Sequence, residues 1–315
     1  MSIAGQPATF TGADDGYLTQ LADEPESALA LVAAHVLTPG SVVVDLGANI
    51  GVTTTVMARH VPGCRLVAVE AGPSMVEELR TNLTSNGLDA VEVVHAAVGD
   101  HDGRVRFHEA SAFGHVTDDP EAHDVDALTL ASLAQRCGLD QLDFVKIDVE
   151  GFEPQVIAGM GDLLSRWSPI VWMELNTWTL LMRGHDPIAS TAEIVSHFSA
   201  VYRVRRADGP LVERVGDDST NALDIARTLI HDNIVHHRSW EDLVLVPHGA
   251  SFDADGLPDL ARTTTPRSGE PAHMAQQLAA MESSYSWRVT APLRAGARWW
   301  NQRRTTGSGR PRRGI

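Results

Sequence analysis

Between residues 41 and 247, seven apolar runs of strand length alternate with stretches of helical periodicity, and few folds accept that alternation. Strands joined through helices run in one direction, which gives a parallel sheet with helices on its faces. The runs are 41–46, 65–70, 91–95, 143–149, 169–175, 201–205 and 242–246. The first five are nearly continuous in Val, Ile and Leu, as strands covered on both faces must be. Helices are expected at 52–60, 74–85, 129–137, 153–164 and 188–198. Gly87 and Gly138 follow two of them, where a helix terminus favours glycine. Residues 104–108, after the glycine-bounded turn 99–103, read as an added hairpin strand.

The flanks differ from this body. Residues 1–40 form a helical lead-in, with the clear helix at 25–36 (PESALALVAAHV). Residues 41–248 are one α/β domain, and 249–271, rich in Gly, Pro, Thr and Asp, are a linker. Residues 272–315 form a basic tail: eight arginines and no acidic residue follow Tyr285, whereas the whole chain carries a net charge of −16. An acidic body argues against nucleic acid as its partner. Two cysteines, Cys64 and Cys137, make neither a disulfide framework nor a metal cluster, so a reducing cytoplasm is expected. No apolar run approaches the length of a membrane span, and the first residues lack the order of a secretory signal.

The sharpest motif is VVVDLGANIG at 42–51, a strand running through a glycine turn into a helix. Gly47 permits a tight turn and a ligand lying against the backbone, and Gly51 permits close packing where the helix starts. Asp45 is placed for a cationic amino group. Glu70 ends the second strand, where a carboxylate can accept from both hydroxyls of a ribose. A dinucleotide prefers G-x-G-x-x-G around its diphosphate, but here Asn49 stands at the middle glycine and Asp45 adds a repelling charge. That pattern favours S-adenosylmethionine, whose methionine moiety carries an ammonium, over a dinucleotide-binding oxidoreductase.

The DLGANIG segment, Glu70 and the run FVKIDVEGFE at 144–153 together resemble the FkbM family of methyltransferases. The resemblance covers about residues 42–247. It implies a Rossmann-like methyltransferase fold, a doubly wound and mostly parallel sheet with an antiparallel last strand at 242–247. It also implies that Asp45, Gly47, Asn49, Gly51 and Glu70 contact S-adenosylmethionine, and that 95–100, with Ala97, surrounds the adenine. Ala71-Gly72-Pro73 departs from the family pattern and lengthens the turn after Glu70.

Methyl transfer is an in-line displacement, and an alcohol acceptor must lose its proton. Asp148 and Glu150 lie at the end of the fourth strand, beside the reactive end of the cofactor in this topology. If the strand persists to Glu150, both carboxylates share a face, suited to a proton acceptor or to paired oxygen ligands for Mg²⁺. The alternative is that Asp148 caps the next helix, with Glu150 and Glu153 complementing its N-terminus. Glu174 ends the fifth strand on the same rim, as a further candidate or as a partner for Lys146 or Arg183. His115 and His185 lie on loops and are candidate bases or plain surface.

The expected reaction is O-methylation of a sugar hydroxyl in a surface glycan or its precursor. The alternatives are methylation of a small secondary metabolite, a polyketide or its sugar, and a non-catalytic scaffold in a glycan assembly complex. The Trp- and Arg-rich tail suits an anionic membrane surface or an acidic partner, placing the protein at the inner face of the membrane or in a glycan-assembly complex. A passive terminus is the other reading of the tail.

Overall fold

The structure is a computed structural model that describes residues 1–12, 18, 21, 23, 25–109, 114–205, 209–235 and 240–260. These lie within the first of two units of the chain, Met1–Thr265. The expected tail at 272–315 falls outside the described residues.

The chain opens with two short strands, β1 (Ser2–Ile3) and β2 (Gln6–Pro7), then α1 (Ser27–Val36), β3 (Val42–Leu46) and α2 (Val52–His60). β4 (Arg65–Glu70), α3 (Pro73–Ser85) and β5 (Glu92–His95) follow. Next come β6 (Ala97–Val98), β7 (Gly103–His108), β8 (His115–Thr117), β9 (His123–Leu128) and α4 (Leu130–Arg136). β10 (Phe144–Ile147), α5 (Glu153–Met160), α6 (Leu163–Trp167), β11 (Ile170–Asn176), α7 (Thr177–Met182) and α8 (Pro187–Val195) continue. The series ends with β12 (Phe198–Val204), β13 (Gly209–Pro210), β14 (Val212–Asp217), α9 (Ala222–Val235), β15 (Trp240–Pro247) and β16 (Asp259–Leu260).

The main sheet has eight strands in the order β14-β12-β15-β11-β10-β3-β4-β5. β11, β10, β3, β4 and β5 are parallel neighbours, and β15 enters antiparallel between β11 and β12. This is the Rossmann-like methyltransferase sheet with its reversed last strand. β14 extends it antiparallel to β12. The hairpin strand expected at 104–108 is β7, in a separate four-stranded sheet of order β6-β9-β7-β8.

Strand alternation divides the core. Val42, Val44 and Leu46 join Val145, Ile147, Val171 and Met173 in one apolar cluster with α4, α5, α8 and α9. Val43, Phe144, Ile170 and Trp172 point the other way, into a cluster with Leu29, Val32 and Ala33 of α1 and Met57 of α2. Asp45, Lys146 and Glu174 therefore stand on the α1–α2 face, because residues two apart on a strand share a side.

Two expected elements are corrected. The helix expected over 153–164 is broken at Gly161, where φ is 54°, so α5 and α6 are separate. The strand expected over 143–149 ends at Ile147. At the far end, Ala250, Phe252, Ala254 and Leu257 pack on the α1-side cluster, and β16 pairs with β13, so the start of the expected linker lies against the body.

Candidate active site

The site lies where β3, β4 and β10 end, at the carboxyl edge that open α/β sheets use for ligands. After β3 the backbone alternates into left-handed conformations, with φ 75° at Gly47, 50° at Asn49 and 90° at Gly51. A Cβ on Gly47 would stand 1.8 Å from the Asp148 carbonyl oxygen, so this glycine lets the turn press on the exit of β10. On Gly51 it would meet Leu79 of α3 at 2.7 Å, the close helix packing expected there.

The turn's own N–H groups separate the two cofactor classes. Gly47 and Ala48 donate to the Val69 carbonyl at 3.0 Å each, Asn49 donates to Glu70 Oε2 at 2.8 Å, and Gly51 donates to the Ala48 carbonyl at 2.9 Å. A diphosphate needs such groups turned toward it. Moreover, a carboxylate already serves the first turn of α2: Thr53 and Thr54 donate their hydroxyls to Asp45 Oδ2 at 2.8 and 2.6 Å. The residues thus fit a ligand that presents hydroxyls rather than phosphates.

Asp45 is fully buried, and the cation it meets here is Lys146, its register partner on β10, with Nζ 3.3 Å from Oδ1. Lys146 Nζ also donates to the Gly47 carbonyl at 2.8 Å and stands 3.5 Å from Asp148 Oδ2. Lys146 therefore ties strand floor, glycine turn and rim carboxylate together. The signal was available in the sequence, as opposite charges inside two apolar runs, VVVDL and FVKI.

Glu70 sits at the end of β4. Its Oε1 accepts from the N–H groups of Ala71 (2.9 Å) and Gly72 (2.7 Å), so the longer turn wraps around the carboxylate. Burial raises its proton affinity, opposed by these N–H groups, that of Asn49 and the Lys146 charge. The Ala71 and Gly72 N–H groups fill the lone-pair positions of Oε1 and the Asn49 N–H takes one on Oε2, so the acceptor capacity left for ribose hydroxyls is on Oε2. Ala97 is buried on β6, next in the chain to Ala96, whose N–H donates to the Glu70 carbonyl at 3.0 Å.

Beyond β10 the chain does not stay extended: Glu150 has φ 52° and Gly151 φ 95°. The strand geometry expected to align Asp148 with Glu150 is absent, and a tight turn brings the acids together instead. Asp148 does not cap α5, whose N-cap is Phe152 with no side-chain bond. Glu153 organises the turn, accepting from the N–H groups of Val149 and Gly151 at 3.2 Å each. The Phe152 ring packs on Gly99, and Gly151 abuts the Thr179 carbonyl of α7. The FVKIDVEGFE run is thus a folded connector between the loop at Gly99 and α7.

The charges in this turn are strongly perturbed. Burial raises the proton affinity of Asp148, with Lys146 opposing and Asp45 and Glu26 adding to the rise. Burial and then the charges of Asp148 and Glu153 hold Glu150 well above the ordinary range. Burial pushes Glu153 up to about 7. Carboxylates with raised proton affinity gathered beside a half-exposed Asp148 are an arrangement suited to proton transfer.

The remaining candidates separate. Glu174 lies on β11 and its Oε1 accepts from Asn176 Nδ2 at 3.4 Å. His115 is on β8, the edge of the smaller sheet, with its ring 5.2 Å from that of His108. His185 lies 3.3 Å from Gln155 of α5, beside the acidic turn. Among the described residues no group of three or more His, Cys, Asp and Glu side chains is gathered to hold a metal ion, so the Mg²⁺ expectation finds no donor set.

Residues 45–200 match the family described as Methyltransferase FkbM domain. The chain is similar to 2-O-methyltransferase NoeI of Sinorhizobium fredii, 23% identical over 189 residues that cover 53% of this chain and 76% of that protein. It is also similar to a carboxy-S-adenosyl-L-methionine synthase of Pseudomonas fluorescens, 43% identical over 65 residues, 20% of this chain and 26% of the relative. Among solved structures, Methyltransferase FkbM from Methylobacillus flagellatus KT is 19% identical, covering 44% of this chain and 34% of that one, with a TM-score of 0.36. The O-methyltransferase from Bacillus cereus in complex with SAH is 15% identical, covering 76% and 84%, with a TM-score of 0.34. The glycine turn with its occupied N–H groups, the acid closing β4 and the FVKIDVEGFE connector all fall within the matched residues, and this chain belongs to the FkbM family of S-adenosylmethionine-dependent methyltransferases.

Proposed function

We propose that the protein transfers the methyl group to a hydroxyl oxygen of a sugar, in a surface glycan or its precursor. The observation that carries this reading is Asp148: a half-exposed carboxylate of raised proton affinity at the carboxyl end of β10, held by Lys146. Bound S-adenosylmethionine supplies a methyl group on a positively charged sulfur. Glu70 accepts the ribose hydroxyls, the turn at Gly47, Asn49 and Gly51 lies along the cofactor, and Ala97 lines the adenine side. Asp45 orients Lys146 from below. Asp148 accepts the proton of the acceptor hydroxyl as that oxygen gains the methyl, and Glu150 and Glu174 border the acceptor. The likeness to NoeI, whose name specifies 2-O-methylation, supports an oxygen acceptor.

Exposed Trp178, Leu181 and Met182 on α7 favour a second acceptor with an apolar part, a lipid-linked precursor or a polyketide. These side chains are three and four residues apart and share a helix face beside the acidic turn. No described helix is long and apolar enough to cross a membrane. The basic tail at 272–315 would then hold the enzyme at an anionic membrane surface or on a glycan-assembly partner at the cytoplasmic side.

Calorimetric titration with S-adenosylmethionine, S-adenosylhomocysteine and NAD tests the cofactor assignment. Transfer of labelled methyl to monosaccharide, glycan and lipid-linked acceptors then tests the acceptor. Micromolar binding of the two adenosyl ligands without NAD, and label recovered as a base-stable sugar ether, is the expected result. Label on nitrogen, or on no carbohydrate acceptor, overturns the glycan reading.

A further inference from the structure

Outside the family-matched residues, Glu26 is a charged side chain whose field reaches Asp148. Glu26 precedes α1 and adopts φ 52°, ψ 38°, a left-handed conformation uncommon for a residue with a side chain. It occupies the N-cap position, yet its side chain makes no cap hydrogen bond, so capping does not account for the strained backbone. Glycine would hold that conformation more easily, and such outliers collect at functional sites.

Topology fixes where Glu26 lies. Residues 37–41 join the end of α1 to the start of β3, so the C-terminus of α1 is at the amino edge of the sheet. Ten helical residues rise about 15 Å, which returns the helix N-terminus to the carboxyl edge, where the site is. Leu29, Val32 and Ala33 of α1 share a cluster with Val43, Phe144, Ile170 and Trp172. The helix therefore lies on the sheet face to which Asp45 and Lys146 belong. Asp148 follows Lys146 by two residues, its carboxylate 3.5 Å from the Lys146 ammonium.

We propose that Glu26 is a positioning residue of the methyl transfer, a second carboxylate brought to Asp148 by the segment ahead of the family-matched domain. It rests on the reading of Asp148 as proton acceptor. The charge of Glu26 makes Asp148 harder to ionise, in the same sense as Asp45 and against Lys146. The groups facing this carboxylate are thus Lys146 from β10, Asp45 from β3, Glu26 from the residue before α1, and Glu150 and Glu153 from the turn and α5, with Arg183 opposing Glu150. Like charges held together keep a proton more tightly, which makes Asp148 a stronger base toward an alcohol.

The test needs no acceptor. In the full chain labelled with carboxyl-¹³C aspartate, Asp148→Asn identifies the Asp148 resonance, and its titration is followed by NMR. In Glu26→Gln the midpoint should fall by about half a pH unit or more, as expected on removing a nearby like charge. Glu26→Gly relieves the left-handed strain and should give the same shift without loss of stability. S-adenosylhomocysteine affinity should stay within about twofold in both variants, since neither touches the cofactor turn. An unmoved Asp148 midpoint in the two folded variants overturns the proposal. Failure of the wild type to bind S-adenosylhomocysteine would instead strike the cofactor assignment, which the midpoint does not measure.

Discussion

Lys146 and Asp45 face each other in register on adjacent strands, both buried, with the ammonium shared between Asp45, the Gly47 carbonyl and Asp148. A buried pair contributes little beyond an apolar pair of like volume, but removing one partner leaves an uncompensated charge in the core. Lys146→Met should lower unfolding free energy by about 3–5 kcal/mol in denaturant titration. A loss under about 1 kcal/mol would mean that Asp45 finds another cation. Asp148 stands at the other end of this arrangement and is half-exposed, so its replacement disturbs chemistry more than folding. Asp148→Asn should reduce methyl transfer by about 10²–10⁴, the range of a general base. Its S-adenosylhomocysteine affinity should remain within roughly threefold, because the proposed role of Asp148 lies on the acceptor side. Turnover at the wild-type rate would move the proton acceptor to Glu150 or His185.

At the scale of elements, legibility follows burial. β3, β4, β10 and β11 were readable because both faces are covered, which makes their sequences nearly continuously apolar, whereas β5, at the sheet edge with Glu92 exposed, offers only Val93 and Val94. β9 (HDVDAL) and β14 (VERVGD) carry exposed polar residues between buried ones, and a run broken by charge resembles a loop. The sequence reading omits α9 although Ile225, Ala226, Leu229 and Ile230 form a buried stripe at helical spacing. Site residues within strands were legible by position. The Glu150 turn was not, since a left-handed glutamate has no sequence signature and Glu153 acts through backbone N–H groups. The lead-in at 1–40 shows the same limit. Its first residues are no helix but a strap: buried Asn82 of α3 accepts from the Thr11 N–H at 2.7 Å and donates to the carbonyls of Thr11 (2.8 Å) and Ile50 (2.9 Å). Phe10, Leu18 and Leu21 pack on Ile50, Val52 and Met75, roofing the glycine turn. Asn82→Ala should cost about 2–3 kcal/mol for the orphaned backbone groups. Hydrogen exchange should then show the amides around Thr11 losing protection before those of β3. Unchanged protection there would mean that the apolar contacts alone hold the strap.

The whole molecule carries a net charge of −16, and its candidate site gathers four of the contributing carboxylates, Glu70, Asp148, Glu150 and Glu153, all with raised proton affinity. For such a group the folded state binds a proton more tightly than the unfolded chain does. Its contribution is therefore complete below the unfolded value and is lost as pH rises through the folded value. Asp102, Asp124, Asp217 and Asp232 shift downward, so their effect falls below about pH 4. Between the ordinary carboxylate value of 4.5 and the value of about 7 for Glu153, the raised groups set the slope, and stability should decline with rising pH. Glu153→Gln isolates one of them. Glutamine keeps an acceptor for the Val149 and Gly151 N–H groups while removing the charge, so it mimics the protonated form. Thermal unfolding should show little difference from wild type at the acid end of the window. Approaching neutral pH, Glu153→Gln should gain on wild type by at most about 3 kcal/mol. A difference constant across the window would mean that Glu153 titrates as an ordinary carboxylate and that water enters beneath the turn. A growing one would tie the fold's stability to the proton economy of its reaction centre, with the acids that prepare the site for proton transfer weakening the protein at neutral pH.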